Sequence, residues 1–249
     1  MRVKYELDKK NIMFKEFLLD IKNYFSENQN TIHKARNELK IISYNDVSTV
    51  VKAFRVPNIL NQVVYAYVRN SKAKKSFLNA QKLQDLNINT PEPIAYIEFY
   101  NNLLFKESFF IAKEYKYDFT IREPLRNLEL KNAELILKQF VHFTYNLHKN
   151  GVYHKDYSAG NILVLKKDEN TYEFSIVDIN RMEFKKVDLT LGLDNFAKLW
   201  LDDANLVLIA KEYAKVAKED ENNCIEILKK ADKKLKDFVL FKRKIRGKN

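Results

Sequence analysis

The 249-residue chain contains a single cysteine, Cys224. That excludes a disulfide framework and a thiolate zinc site. The histidines His33, His142, His148 and His154 lie too scattered for a zincin-type helix motif. Glycine and proline number only four each, so the few present mark particular turns and stops. No apolar run approaches the roughly 18 residues of a membrane span. The opening RVKYELDKKN has no apolar signal core. These absences lead to the expectation of a reduced, cytoplasmic globular protein.

Hydrophobic residues make up 46% of the chain, enough for a substantial core and too much for a mainly disordered one. The net charge is +11, and it is unevenly spread. Residues 229–249 hold ten Lys or Arg against two Asp, a net of +8 that leaves +3 for everything before them. A surplus of this kind concerns partners: nucleic acid, anionic lipid or a polyanionic substrate. No nucleic-acid-binding motif is present, so nucleic acid is not expected. Leu235, Phe238, Val239, Phe241 and Ile245 recur at roughly helical spacing among those charges. Such a segment suits the interface of an anionic membrane.

In the first half, ELKIIS (38–43) and VSTVVKAF (47–54) read as a hairpin. SKAKKSFLNAQKLQDL (71–86) reads as a helix with Phe77, Ala80, Leu83 and Leu86 on one stripe, and TPEP ends it. IAYIEFY and LLFKESFFIAKEY read as a second antiparallel pair around Asn101 and Asn102. After Pro124 a long helical pattern (127–151) stops at Gly151. A hairpin, NILVL to YEFSIVD, and further helices complete the chain. The expected fold class is α+β in two lobes of one domain. Residues 1–116 would form a small antiparallel-sheet lobe with one helix, and residues 117–249 a mainly helical lobe with a basic C-terminal segment.

Four polar residues stand out against this frame. HKDYSAGN (154–161) has the spacing H-x-D-x-x-x-x-N of a kinase catalytic loop. Phosphoryl transfer needs a carboxylate at the acceptor hydroxyl and oxygens on a metal, which Asp156 and Asn161 would supply. IVDINRM sets Asp178 at the end of a buried strand, where a carboxylate is costly unless it meets a cation. STVVKAF places Lys52 on a strand, as in the V-A-I-K motif whose lysine holds phosphates. Each motif alone is weak. In this chain order they point to a protein-kinase-like fold using ATP and Mg²⁺.

From IHKARNELKII (32–42) through VVKAF, SKAKKSF, TPEPIAY, LHKNGVYHKDYSAGNIL and VDINRM, the chain resembles the bacterial lipopolysaccharide kinase family, which includes the Kdo and heptose kinases of the inner core. The resemblance implies transfer of the ATP γ-phosphate to a sugar hydroxyl on Kdo–lipid A or a related precursor, at the cytoplasmic face of the inner membrane. It implies that Lys52 binds phosphate, that Asp156 is catalytic, and that Asn161 and Asp178 hold metal. At the hinge KEYK (113–116), the Glu114 carbonyl and the Lys116 amide would meet adenine.

The chain departs from kinase patterns in three places. There is no G-x-G-x-x-G, and HKARNE (33–38) would cover the nucleotide with Arg36 or backbone amides. Asp85 is the only acidic residue between Lys52 and Pro91, and Leu78 and Asn79 stand about where a helix Glu would pair the lysine. Ser158 holds the position two after Asp156 where protein kinases commonly carry Lys, with Lys155 as the substitute to test. The alternatives are an atypical small protein kinase, which lacks support from any A-P-E segment, and a pseudokinase acting as a binding module.

Overall fold

The computed structural model describes residues 2–34, 37–56, 58–102, 104–127 and 129–245. The chain forms two compact units, Met1–Lys116 and Tyr117–Asn249.

The first unit runs β1 (Arg2–Leu7), α1 (Lys15–Leu19), α2 (Ile21–Glu27), β2 (Thr31–Lys34), β3 (Asn37–Tyr44), β4 (Val47–Phe54), α3 (Ile59–Tyr67), α4 (Lys72–Asp85), β5 (Pro93–Asn101) and β6 (Leu104–Lys113). Among the described residues, the strands make one antiparallel sheet in the order β1-β5-β6-β4-β3-β2. The β3–β4 hairpin turns on Asn45 and Asp46, both at positive φ. Short polar side chains tolerate that left-handed geometry, and two such residues suit the twist of a hairpin. Ser71 caps α4 by accepting from the Lys74 amide at 3.1 Å. Its apolar stripe then lays Ala73, Phe77, Ala80 and Leu83 inward, with Phe77 and Ala73 against Phe54 and Tyr96. Asn87, at φ +55, ends the helix region in the role glycine often fills.

The helix expected over 71–86 is present as α4, and three shorter helices accompany it. The opposite sheet face explains two of them. Phe14, Phe17, Leu18 and Ile21 pack there on Ile42, Val51, Ile97, Phe109 and Ile111. Burying each such side chain contributes about 1.5–3 kcal/mol, so the N-terminal segment is a structural half of this unit. Covered on both faces, β5 is buried from Pro93 to Tyr100, which accounts for a mainly apolar run whose one charge, Glu98, accepts from the Tyr100 hydroxyl at 2.8 Å.

The second unit contains β7 (Phe119–Thr120), α5 (Arg122–Arg126), α6 (Ala133–Lys149), β8 (Val152–His154), β9 (Ile162–Lys166), β10 (Tyr172–Ile176), β11 (Met182–Phe184), α7 (Leu189–Ala197), α8 (Asp203–Ala217) and α9 (Glu221–Ile245). The strands pair as β10-β9-β7 and as β11-β8. The long helix begins at Ala133 rather than at residue 127, so Leu130 lies outside it. Its buried stripe is Ala133, Ile136, Leu137, Phe140, Val141, Thr144, Leu147 and His148. Gly151 stops it at φ +70, and a Cβ there would come within 3.0 Å of the Lys185 carbonyl oxygen. The Lys185 amide donates to the Gly151 carbonyl at 2.8 Å, which closes the β8–β11 pair.

Among the described residues no helix is long and apolar enough to cross a membrane. On α9, Cys224, Leu228 and Asp232 are buried. Further along, Phe238, Leu240, Phe241 and Ile245 are 51–68% exposed.

Candidate active site

The turn after β8 is built by hydrogen bonds that the sequence spacing makes possible. His154, almost fully buried, accepts from the Asp156 amide through Nδ1 at 3.0 Å. Its Nε2–H donates to the Val177 carbonyl at 3.0 Å. One imidazole thus ties the Asp156 turn to the segment that carries Asp178, in a single tautomer. Both ring nitrogens are engaged, so the ring acts as a brace, and burial pushes its pKa below the ordinary value, which keeps it neutral.

A buried polar chain supports the brace from behind. Asn195 of α7 donates through Nδ2 to the His154 carbonyl at 2.9 Å. Its Oδ1 must then accept from His148 Nε2 at 3.2 Å, which leaves His148 Nδ1 to accept the Tyr213 hydroxyl at 2.9 Å. Gly192 makes room for this contact, since a Cβ there would run into the Tyr213 hydroxyl. Gly192→Ala is therefore expected to cost about 1–3 kcal/mol through overpacking, read as a lowered denaturation midpoint with the secondary structure retained.

Burial drives the His148 pKa from 6.5 down to about 4. Below pH 6.5 the unfolded chain binds this proton, while the folded protein resists it until about pH 4. Stability is fully present above that window and falls as pH drops through it, by up to roughly 3 kcal/mol at 1.36 kcal/mol per pKa unit. Urea midpoints measured from pH 7 to pH 4.5 should decline, with a shallower slope in His148→Gln.

Asp156, Asn161 and Asp178 are brought to one place by the β9–β10 hairpin. Ile162 pairs with Ile176, and the Val177 amide donates to the Asn161 carbonyl at 3.0 Å. Asn161 and Asp178 therefore share the same end of the hairpin. Asn161 Nδ2 donates to the Asp156 carbonyl at 2.8 Å, which leaves the amide oxygen as the acceptor end of the side chain. Asp178 sits in the left-handed region, φ 55 and ψ 43. As at Asn45 and Asp46, a short polar residue tolerates that geometry, which here turns the chain out of β10. Asn180 Nδ2 donates to Asp178 Oδ1 at 2.6 Å and aims the carboxylate.

Arg181 is the residue here that sequence reasoning gave no role. Its Nη1 lies 3.1 Å from Asp156 Oδ2. The contact follows from the β8–β11 pairing of His154 with Met182, a three-residue ladder too short to show as a sequence pattern. Lys155, the expected substitute for the lysine missing at Ser158, is instead paired with Glu183, as is Lys185. Lys198 donates to the Tyr153 hydroxyl at 2.8 Å, and that hydroxyl donates to Asp194 at 3.0 Å. Burial lowers the Lys198 pKa.

The donors fit a hard divalent cation. Among the described residues no group of three His, Cys, Asp or Glu could hold a metal. Mg²⁺ does not need one: it takes one or two carboxylates, keeps waters and completes its shell with substrate phosphates. Asp178 and the Asn161 amide oxygen are ligands of that type.

In the first unit, Lys52 lies on β4, paired between β3 and β6, so it is not an edge charge. It is half-buried, with Nζ 5.3 Å from the Phe54 ring centre. Asp85, the only acidic residue of α4, is exposed at its C-terminal end, while Asn79 is half-buried. The Glu114 amide donates to the Ser48 carbonyl at 2.9 Å, and its carboxylate accepts from Lys116 Nζ and Ser48 Oγ, each at 2.7 Å. These contacts hold its pKa below the ordinary value, the Lys116 bond contributing most. Arg36 lies outside the described residues, in the connection between β2 and β3.

Comparison with known proteins accords with these features. A solved structure described as "WaaP in complex with acyl carrier protein" superposes with a TM-score of 0.62 at 12% identity, covering 94% of this chain and 99% of that one. At that identity the likeness speaks to fold, which is protein-kinase-like. No curated protein sequence matches the chain. The sequence model of the "Lipopolysaccharide kinase (Kdo/WaaP) family" matches residues 36–201, a span that includes Lys52, Asp156, Asn161 and Asp178. The chain belongs to that family, whose members are kinases that phosphorylate a sugar hydroxyl of lipopolysaccharide.

Proposed function

We propose that the chain transfers the γ-phosphoryl group of ATP, bound with Mg²⁺, to a hydroxyl of a Kdo or heptose sugar in the lipopolysaccharide inner core. The observation that carries this reading is the turn where Asp156, Asn161 and Asp178 meet, braced by His154. Asp156 would orient the acceptor hydroxyl and receive its proton. Asn161 and Asp178 would hold the metal, which when bound offsets charge on the phosphates. Lys52 would hold phosphates. The Glu114 carbonyl and the Lys116 amide would meet adenine, and Arg36 would lie over the nucleotide. Residues 1–116 and 117–249 would then act as the two lobes of one kinase domain.

The acceptor decides between readings. Purified protein with Mg²⁺ and ATP should release ADP when Kdo–lipid A is added, and not when a generic protein acceptor replaces it. Release with protein alone would favour an atypical protein kinase. The absence of nucleotide binding would favour a pseudokinase.

The end of α9 would hold the enzyme on the anionic cytoplasmic face of the inner membrane. Its support is the exposure of Phe238, Phe241 and Ile245 among Lys242, Arg243 and Lys244. Each basic residue near an anionic surface contributes on the order of 1 kcal/mol. Truncation after Asp237 should abolish co-sedimentation with anionic vesicles and leave the weak response to neutral vesicles unchanged. Equal sedimentation of both proteins at low salt would overturn the membrane role of this segment.

A further inference from the structure

We propose that Arg181 is the cation that meets the transferred phosphoryl group, in place of the lysine that protein kinases carry two residues after the catalytic aspartate. The inference rests on the kinase reading above and adds a residue to it. That lysine is Ser158 here, and the one cation of the catalytic loop, Lys155, pairs with Glu183.

Three observations converge on Arg181. It is, among the described residues, the cation in ion-pair contact with Asp156, at 3.1 Å from Oδ2. Its neighbours make other contacts: Lys155 and Lys185 pair with Glu183, and Lys198, though it feels the Asp156 charge, bonds to Tyr153 and lies 4.0 Å from Asp194. Its backbone is anchored, because Ile179 and Asn180 are buried on one side and Met182 pairs with His154 on the other. The guanidinium therefore leaves a fixed turn and reaches the carboxylate that is to receive the acceptor hydroxyl.

Stability does not account for the pair. Its side chains are 53% and 40% exposed, and solvent-exposed ion pairs contribute little. Chemistry does account for it. The acceptor oxygen held by Asp156 becomes bonded to phosphorus, so a group touching Asp156 lies beside the equatorial oxygens of the phosphoryl group in transit. A guanidinium is planar, always charged and shaped for two phosphate oxygens at once. One contact to Asp156 leaves its other N–H groups for that purpose, and leaves Asp156 Oδ1 for the acceptor. The transferring group carries spread negative charge, and cations placed where that charge sits are a main source of catalysis.

The test compares ADP·Mg²⁺ binding with and without aluminium fluoride, which mimics the phosphoryl group in transit, in wild type, Arg181→Ala and Arg181→Lys. Fluoride should tighten wild-type binding. Arg181→Ala should bind ADP as wild type does, yet lose about 10²-fold of the tightening. Guanidinium ion should restore part of the loss, and Arg181→Lys should fall between. Retained tightening in Arg181→Ala, or a wild type that binds ADP with no tightening, would overturn the role of Arg181 while leaving the kinase reading in place. A wild type that binds no ADP would instead sink the kinase reading and the inference with it. Unchanged thermal midpoints will show that the exposed side chain was not holding the fold.

Discussion

Asp156→Asn should reduce phosphoryl transfer by on the order of 10²–10⁴-fold, about 3–5 kcal/mol of transition-state stabilisation, with ATP affinity largely preserved. The substitution keeps the shape of the side chain but removes its negative charge, and with it the ability to take a proton. The backbone of this residue holds the turn, through its amide to His154 and its carbonyl to Asn161. Both bonds survive the change, so the fold and the placement of the Asn161 side chain should be intact. Side-chain loss is confined to the acceptor and to the contact with Arg181. Steady-state kinetics should therefore show kcat falling with little change in KM for ATP. Turnover near that of wild type would remove Asp156 from the reaction.

Asp178→Ala should cost roughly 10³-fold in turnover, equivalent to about 4 kcal/mol, and should raise the Mg²⁺ concentration needed for nucleotide binding. The physical basis is the charge balance at the hairpin end. On the proposed metal role, Asn161 would contribute a neutral oxygen and Asp178 would be the residue of the pair that brings negative charge. Asn180 donates to it at 2.6 Å, which keeps the carboxylate in one orientation. Removing it leaves the Asn161 oxygen with no charged partner. Fluorescent-nucleotide titrations at several Mg²⁺ concentrations separate the binding effect from the loss of turnover. Nucleotide binding that is independent of Mg²⁺ in wild type and variant alike would contradict the metal role.

The parts legible in the sequence were those with strong local signals. The β3–β4 hairpin and the inward stripe of α4 follow from alternation and helical period. The Gly151 stop follows from the one residue type that takes positive φ freely. The catalytic-loop spacing and the strand before Asp178 led to the same family that the match over residues 36–201 shows. What stayed hidden depends on contacts distant in sequence. Asn11 and Asp20 interrupt the N-terminal segment, so α1 and α2 are too short to show a clear period, although Phe14, Phe17, Leu18 and Ile21 fill one face of the sheet. A helix read from residue 127 starts too early, because residues 129–132 carry helix-forming composition yet lie outside α6. The contact of Arg181 with Asp156 spans 25 positions and depends on a three-residue strand pair. Asn195 joins His148 to the His154 carbonyl across 47 and 41 positions, and no motif announces it.

The most direct test of the central claim is the mass and linkage of the product formed from Kdo–lipid A, Mg²⁺ and ATP by the full chain, beside an Asp156→Asn control. The expected result is a gain of one phosphate on a hydroxyl of the sugar, with one ADP formed for each phosphate transferred and none above background in the control. A lipid that gains no phosphate while ADP accumulates, or phosphate found on the protein in place of the sugar, would contradict it.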